Sequence, residues 1–274
     1  MVDNNLKCSV IITVRDEAEN IAQLLESLLS QKAEKEIVVV DAESRDGTAD
    51  IVRRYAEKHD EIRLIVKRSK RGMGRNIGIA HSTGDVVAFI DGDCIADENW
   101  LAEILESAKE CPVVAGKTVY TGGDRFAGLE RVELYRQGMD VTFPSSNLAY
   151  RREVIERIGG FDDWFITAED IDLNIRAVDC NFKICYNEKA VVYHKVRETL
   201  YSFAKQAFWN GAGRKQLTLK YGVLWKNYRP VELLKRKHSF YGVLRVSVAL
   251  MGYVAYKLFG THPHKQVIIG GLHG

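Results

Sequence analysis

Asp91 and Asp93, separated by Gly92, follow directly on the apolar run of residues 86–90. A short apolar run of this kind reads as a buried parallel strand, and such strands present ligand-binding groups at their carboxyl ends. Two carboxylates at a strand tip suit a hard divalent cation, Mg2+ or Mn2+. Such an ion takes one or two protein carboxylates and leaves its other positions to water and substrate phosphate oxygens. An Asp-Gly turn is the plainer reading of the same three residues. What separates the two is whether other chemistry-bearing residues fall at equivalent places.

Similar groups end the other strand-like runs. Thr13, Val14, Arg15, Asp16 and Glu17 follow the first, Asp41 and Glu43 the second, and the basic segment from Arg71 to Asn76 the third. Gathered on one sheet edge, such tips suit a nucleotide: carboxylates or backbone acceptors bond a base N–H, and arginine bonds phosphate or a base carbonyl. The segment Gly72-Met73-Gly74-Arg75-Asn76-Ile77-Gly78 approximates a dinucleotide fingerprint, but Ile77 stands where glycine is needed and the loop follows the third strand. It reads better as an anion-binding helix start flanked by Arg71 and Arg75.

A second acidic pair, Glu169-Asp170, follows the aromatic-bracketed segment 161–165. Alone it is an acidic helix amino terminus, which the macrodipole favours. Beside a metal-diphosphate site, a partly desolvated Asp170 suits a base that takes a hydroxyl proton. His194 reads either as a hydrogen-bonded structural histidine or as an extra ligand, since imidazole suits manganese. Gln206, Trp209, Arg214 and Lys215 mix aromatic and cationic groups at helical spacing, as in a packed amphipathic helix or a lid over phosphates and acceptor.

The positioning elements follow from periodicity. Residues 8–14, 37–40, 62–66 and 86–90 read as strands, alternating with a helical stripe at 17–29, a helix running from the Asp46-Gly47-Thr48 cap to about His59, and one that follows a basic glycine-bearing loop and runs to about Ala80. That alternation requires a mainly parallel sheet with right-handed crossovers and helices on both faces. Further on the pattern is mixed: helices over 97–108, 126–137, 152–158 and 168–178, strands over 113–120 and 147–151, and two short strands, 182–186 and 190–193, able to pair with each other. From Glu198 onward everything reads helical.

Composition supports a core-forming α/β chain: 274 residues, 46% hydrophobic. The net charge of +2 conceals an uneven division, because residues 195–274 carry 14 Lys/Arg against two Asp/Glu and the remainder carries 25 against 35. The basic end suggests anionic lipid, a phosphate-bearing substrate or nucleic acid, and the acidic part fits a cation site. Cys8, Cys94, Cys111, Cys180 and Cys185 are odd in number, lack C-x-x-C spacing and read as buried thiols in a reducing compartment, without disulfides. With a polar amino terminus, they imply a cytosolic location.

The runs from Val10 to Glu17, Val38-Val39-Val40-Asp41 with Ser44-Arg45-Asp46-Gly47-Thr48, Gly74-Arg75-Asn76-Ile77-Gly78, Asp91-Gly92-Asp93, Gly159-Gly160-Phe161-Asp162 and Glu169-Asp170 resemble, in order, the motifs of glycosyltransferase family 2. The resemblance covers residues 8–215. It implies a GT-A fold, inversion at the anomeric carbon, a UDP- or GDP-sugar donor and a metal held by the D-x-D motif. The implied roles are base contact for Asp41, donor sugar or ribose for Asp91, metal for Asp93 and catalytic base for Asp170. His194 resembles the histidine that some members add to the metal shell. Two departures matter. The common second Asp after strand two is Ala42, which shifts the base contact toward Glu43; and the Q-x-x-R-W signature is absent after Gln206, which favours single transfer over polymerisation. A nucleotidyltransferase and a non-catalytic sugar-nucleotide or lipid-binding module are the alternatives, although the glycine-rich loop wanted by the former is missing from Arg15-Asp16-Glu17-Ala18-Glu19.

On this reading residues 1–215 form the transferase domain, 1–120 binding nucleotide and 121–215 acceptor, and 216–274 form a helical extension. Lys235-Arg236-Lys237 precedes an apolar stretch, 240–259, whose charges are Arg245 and Lys257. A full membrane span is marginal, because the uncharged centre is short. An interfacial helix with Tyr253, Tyr256 and Phe259 at the headgroups is expected on the cytoplasmic membrane face, with a packing or dimer helix as the alternative. A polyprenyl-phosphate-linked acceptor would lie at that surface.

Overall fold

The computed structural model describes residues 6–122, 133–195, 199–222, 224 and 240–261. The basic triplet 235–237 and most of the helix expected over 126–137 lie outside them.

Eight strands form one twisted sheet in the order β3-β2-β1-β4-β9-β6-β10-β5. Strands β1 (Cys8–Val14), β2 (Lys35–Asp41), β3 (Ile62–Val66) and β4 (Val86–Asp91) are parallel to one another. The connecting helices are α1 (Ile21–Leu29), α2 (Thr48–Ala56) and α3 (Arg71–Ala80). Because side chains alternate along a strand, Val10, Ile12 and Val14 pack in one core layer with Leu24, Leu28 and Trp100, while Ile11 packs in the other with Phe89, Tyr150 and Phe161.

The second half departs from simple alternation. The short β5 (Cys94–Ala96) leads into α4 (Trp100–Glu110) and β6 (Val113–Thr121). A two-strand ribbon of β7 (Tyr135–Arg136) and β8 (Met139–Asp140) then precedes β9 (Asn147–Arg151). Residues 135–136 are therefore strand, not the end of a helix. Helices α5 (Arg152–Ile158) and α6 (Glu169–Asp179) follow, then β10 (Ile184–Lys195). The two short strands expected over 182–193 do not pair with each other. They are one strand, parallel to β6, with a register shift between Asn187 and Val191. Strand β9 is antiparallel to β4 and β6, and β5 is antiparallel to β10, so the sheet is mixed.

Helix α7 (Leu200–Tyr221) and α8 (Phe240–Phe259) run side by side in the same direction, Phe203 meeting Tyr241 near their starts and Lys215 lying over the Tyr253 ring farther along. They touch at glycines. A Cβ on Gly211 would fall 1.7 Å from the Ala249 carbonyl oxygen, and one on Gly252 would fall 1.9 Å from that of Phe208. Tyr256 is buried and faces Trp164, and Tyr253 carries Lys215, so neither lies on the outer face as expected. That face is instead Val243, Val246, Leu250, Met251, Val254 and Leu258, each at least 44% exposed.

The cysteine reading is corrected in one respect. Cys111 and Cys185 are joined in a disulfide between the end of α4 and β10, and Cys180 is exposed; Cys8 and Cys94 are buried free thiols. A partner 74 residues away cannot be read from cysteine spacing. The argument for a reducing compartment loses its basis accordingly.

Candidate active site

Parallel register places the tips of β1, β2 and β4. Thr13 of β1 lies opposite Asp91 of β4, and Val14 lies opposite Asp41 of β2. Thr13 and Asp91 follow Ile11 and Phe89 by two residues, so they lie on the sheet face covered by α3 and α6. Asp41 is fully buried; its Oδ1 accepts from the Ser44 N–H at 2.8 Å and its Oδ2 has no hydrogen-bond partner. Glu43, exposed, has a left-handed backbone with φ 61°. The loop after β1 is knitted to the loop after β2: the Glu17 N–H donates to Thr48 Oγ1, Ala18 N–H to Asp46, Asp16 N–H to Ser44 Oγ, and Arg45 N–H back to Asp16. Thus Ser44, Asp46 and Thr48 hold Arg15 and Glu17 in place. A Cβ on Gly92 would approach Val14 Cγ1 to 2.7 Å, which explains the residue between the two aspartates.

Asp93 meets His194. The His194 Nε2 lies 3.0 Å from Asp93 Oδ1, because β10 pairs with both neighbours at this point: His194 is opposite Cys94 on β5 and Tyr120 on β6. Donor atoms of Asp93, Cys94 and His194 all lie within 4.8 Å of one another. Cys94 is a poor third ligand for a hard cation, since burial and then the charges of Asp91 and Asp93 push its thiol far above the usual range. The oxygen and imidazole donors fit Mn2+ or Mg2+, ions that take their remaining ligands from water or phosphate oxygens.

Arg75, expected beside an anion-binding helix start, is instead engaged by carboxylates. Its side chain is 4% exposed and spends its guanidinium on two carboxylates, Glu169 Oε1 at 2.7 Å and Asp91 Oδ1 at 3.2 Å, over the Phe161 ring. It ties the D-x-D tip to the second acidic pair. Arg71 stays exposed on the first turn of α3. Asp170, beside Glu169, is half-buried; its carboxylate accepts from the Ile171 N–H at 2.8 Å and the Ser145 N–H at 3.2 Å. Burial, and secondly the Glu169 charge, push its carboxyl up to about 6 against the opposing pull of Arg75 and the two amides. A carboxylate near that value is matched to proton abstraction at neutral pH.

Helix α7 carries the remaining candidates. Trp209 is 38% exposed with its ring edge-on to Phe208, one turn before Gly213. Arg214 is half-buried, and its charge, after burial, lowers the affinity of Arg245 on α8 for its proton. The sequence reading named Arg245 only as a charge within an apolar stretch and did not single out Tyr120. Tyr120, 63% exposed, has its ring centroid 5.6 Å from that of His194, a neighbour fixed by the β6–β10 pairing, which no local pattern encodes.

Comparison with known proteins bears on this geometry. The family model described as "Glycosyl transferase family 2" matches residues 9–159, and that of "Glycosyl transferase family group 2" matches residues 86–261. The chain belongs to glycosyltransferase family 2. Glycosyltransferase AglE of Haloferax volcanii is 30% identical over 226 residues, covering 76% of this chain and 73% of its own length. Glucosyl-dolichyl phosphate glucuronosyltransferase of the same organism is 26% identical over 251 residues, covering 79% of each chain. Some relatives are longer: the chain spans 57% of the probable glycosyltransferase YdaM of Bacillus subtilis, to which it is 30% identical over 242 residues and 78% of its own length. In fold, it matches the mannosyltransferase PcManGT of Pyrobaculum calidifontis, solved with GDP-Man and Mn2+, with a TM-score of 0.64, 22% identity, and coverage of 93% of this chain and 76% of that one. This family 2 glycosyltransferase therefore has the GT-A fold, and the nucleotidyltransferase and non-catalytic alternatives fall away.

Proposed function

We propose that this enzyme transfers a sugar from a UDP- or GDP-sugar to a lipid-linked acceptor at the cytoplasmic face of a membrane, with inversion and with Mn2+ or Mg2+. The observation that carries the reading is the chain of contacts from Asp91 through Arg75 to Glu169, which joins the donor side of the crevice to Asp170. The orphan Asp41 Oδ2 would accept from a base N–H, and on this reading the tip residues Thr13, Val14, Arg15, Glu17 and Glu43 bind the same nucleotide. Asp91 serves the donor ribose or sugar. Asp93 and His194 would hold the ion, which when bound neutralises the charge of a departing diphosphate.

Asp170 takes the proton of the acceptor hydroxyl as that oxygen attacks the anomeric carbon. The new C–O bond forms as the bond to the diphosphate breaks, and the diphosphate leaves with the electron pair from the opposite face. One displacement inverts the centre. Trp209, Arg214 and Arg245 border the acceptor side, where two guanidinium groups favour a phosphate-bearing acceptor. Relatives named for dolichyl phosphate sugars support that class.

Helix α8 supports the membrane surface. By length and composition its residues Tyr241–Phe259 could cross a bilayer, but Gly252 and Tyr256 are packed against the protein while the opposite stripe is apolar and open. An amphipathic helix lying in the interface accounts for both faces.

The test is a panel of nucleotide sugars supplied with Mn2+ and a polyprenyl phosphate glycan, monitoring release of UDP or GDP. One donor class is expected to turn over, and only with metal. Release from none of them, or undiminished release in EDTA, would defeat the proposal. Flotation with anionic liposomes tests the surface, and replacing Val246 and Leu250 by Glu is expected to abolish it.

A further inference from the structure

We propose that Gln216 and Gly213, on the inward stripe of α7, are positioning residues for Asp170, acting through the 161–168 loop that delivers it. The inference rests on the reading of Asp170 as the base.

The loop from Phe161 to Ala168 joins α5 to α6 with neither helix nor strand, so its backbone polar groups need partners from elsewhere. At its start, Asn76 of α3 supplies two: its Nδ2 donates to the Phe161 carbonyl and its Oδ1 accepts from the Phe161 N–H, both at 2.8 Å. In its middle, Gln216 does the same. The Gln216 Nε2 donates to the Trp164 carbonyl at 3.0 Å, and its Oε1 accepts from the Ile166 N–H at 3.1 Å. Gln216 is completely buried and both of these bonds go to this one loop.

The loop ends on Ala168, which has φ 63°, a conformation costly for a residue with a Cβ and retained only where surroundings enforce it. That residue immediately precedes Glu169 and Asp170, so its angle aims both carboxylates. Gly213 lies against it. A Cβ there would fall 2.7 Å from Thr167 Cγ2, 3.0 Å from Ala168 Cβ and 3.1 Å from the Thr167 carbonyl oxygen. One turn past Gln216, Lys220 spans the loop from behind, 2.7 Å from Asp162 and 2.6 Å from the buried Asp172. Helix α7 thus grips the loop at three heights.

None of these α7 groups is bonded to Asp170 itself. Among the described residues, the charged and titratable groups that face Asp170 are Glu169 of α6, Arg75 of α3 and Tyr150 of β9. If α7 sets where Asp170 sits among them, loosening the grip changes what Asp170 experiences and leaves the donor side alone. An α7 that merely adds stability would not do that.

Two variants of the full chain test this. Gln216→Met keeps the volume and removes both bonds. Gly213→Ala improves helix propensity, so α7 itself is not weakened, while its methyl displaces Thr167 and Ala168. The Asp170 carboxyl is followed by carbon-13 NMR titration, assigned with Asp170→Asn. Both variants are expected to titrate about one unit lower than wild type as the carboxyl gains solvent. We expect kcat to fall about 10- to 100-fold, as for a displaced reacting group, with KM for the donor unchanged. An unaltered titration and kcat per folded molecule, with only thermal stability changed, would overturn the proposal. If Gln216→Met does not fold, Gly213→Ala decides alone. Should Asp170→Asn itself retain full transfer, the base assignment fails, and the NMR titration still decides whether α7 positions the carboxyl.

Discussion

Asp91 leaves β4 in register with Thr13 of a parallel neighbour, whereas Asp170 leaves an irregular loop and a left-handed Ala168. On the proposed donor side, backbone ladders place the groups, and the main accessory is a glycine small enough to pass Val14. On the proposed acceptor side, placement falls to side chains: Asn76 and Gln216 on the loop, Lys220 behind it, Arg75 across to Asp91. Ladder hydrogen bonds are many and individually dispensable. A buried side-chain network is small in number and each loss leaves a partner unsatisfied. The donor side should accordingly tolerate local substitution better than the loop side.

The largest contrast is expected at the base. Asp170→Asn should lower transfer about 10^2- to 10^4-fold while nucleotide and Mn2+ binding, measured by calorimetry, stay at wild-type values. Equal losses of binding and transfer would mean that the two sides are one unit.

Arg75→Met comes next. It strands the buried Glu169 carboxylate, and urea unfolding should register about 3–5 kcal/mol of lost stability. An exposed tip cation, Arg71→Met, should change stability by less than about 0.5 kcal/mol.

The pH dependence sharpens the comparison further. In the proposed role Asp170 acts when ionised, so kcat should be level above about 6 and fall about tenfold per unit below it, following its raised value. A plateau extending to pH 4 would assign proton removal elsewhere.

The smallest effect has the opposite sign from the first. A carboxyl whose folded value is raised above its unfolded one favours folding in its protonated form, and that contribution is lost as pH rises through about 6. Asp170→Asn removes the cost of ionising it, so it should stabilise the enzyme at pH 7.5 by about 1 kcal/mol. This is less than the full shift implies, because the residue is only half-buried. The gain should vanish near pH 4, which paired thermal melts would reveal.

Sequence periodicity determined much of the donor side. Apolar runs bounded by Asp and Gly define β1 to β4, and parallel pairing then brings Thr13, Asp41 and Asp91 to one edge without further information. The ordered motifs carried the family and its GT-A fold. The tertiary structure alone decided the partners. Arg75 looked like an anion contact because spacing shows a cation at a helix start; only packing shows two carboxylates, 16 and 94 positions away, closing on it. The Cys111–Cys185 bridge, the long β10 that sets His194 beside Asp93 and Tyr120, and the inward turn of Tyr256 arise the same way. Local pattern reports a residue's exposure and neighbours along the chain, and these features are contacts between segments whose approach depends on the whole core closing around them.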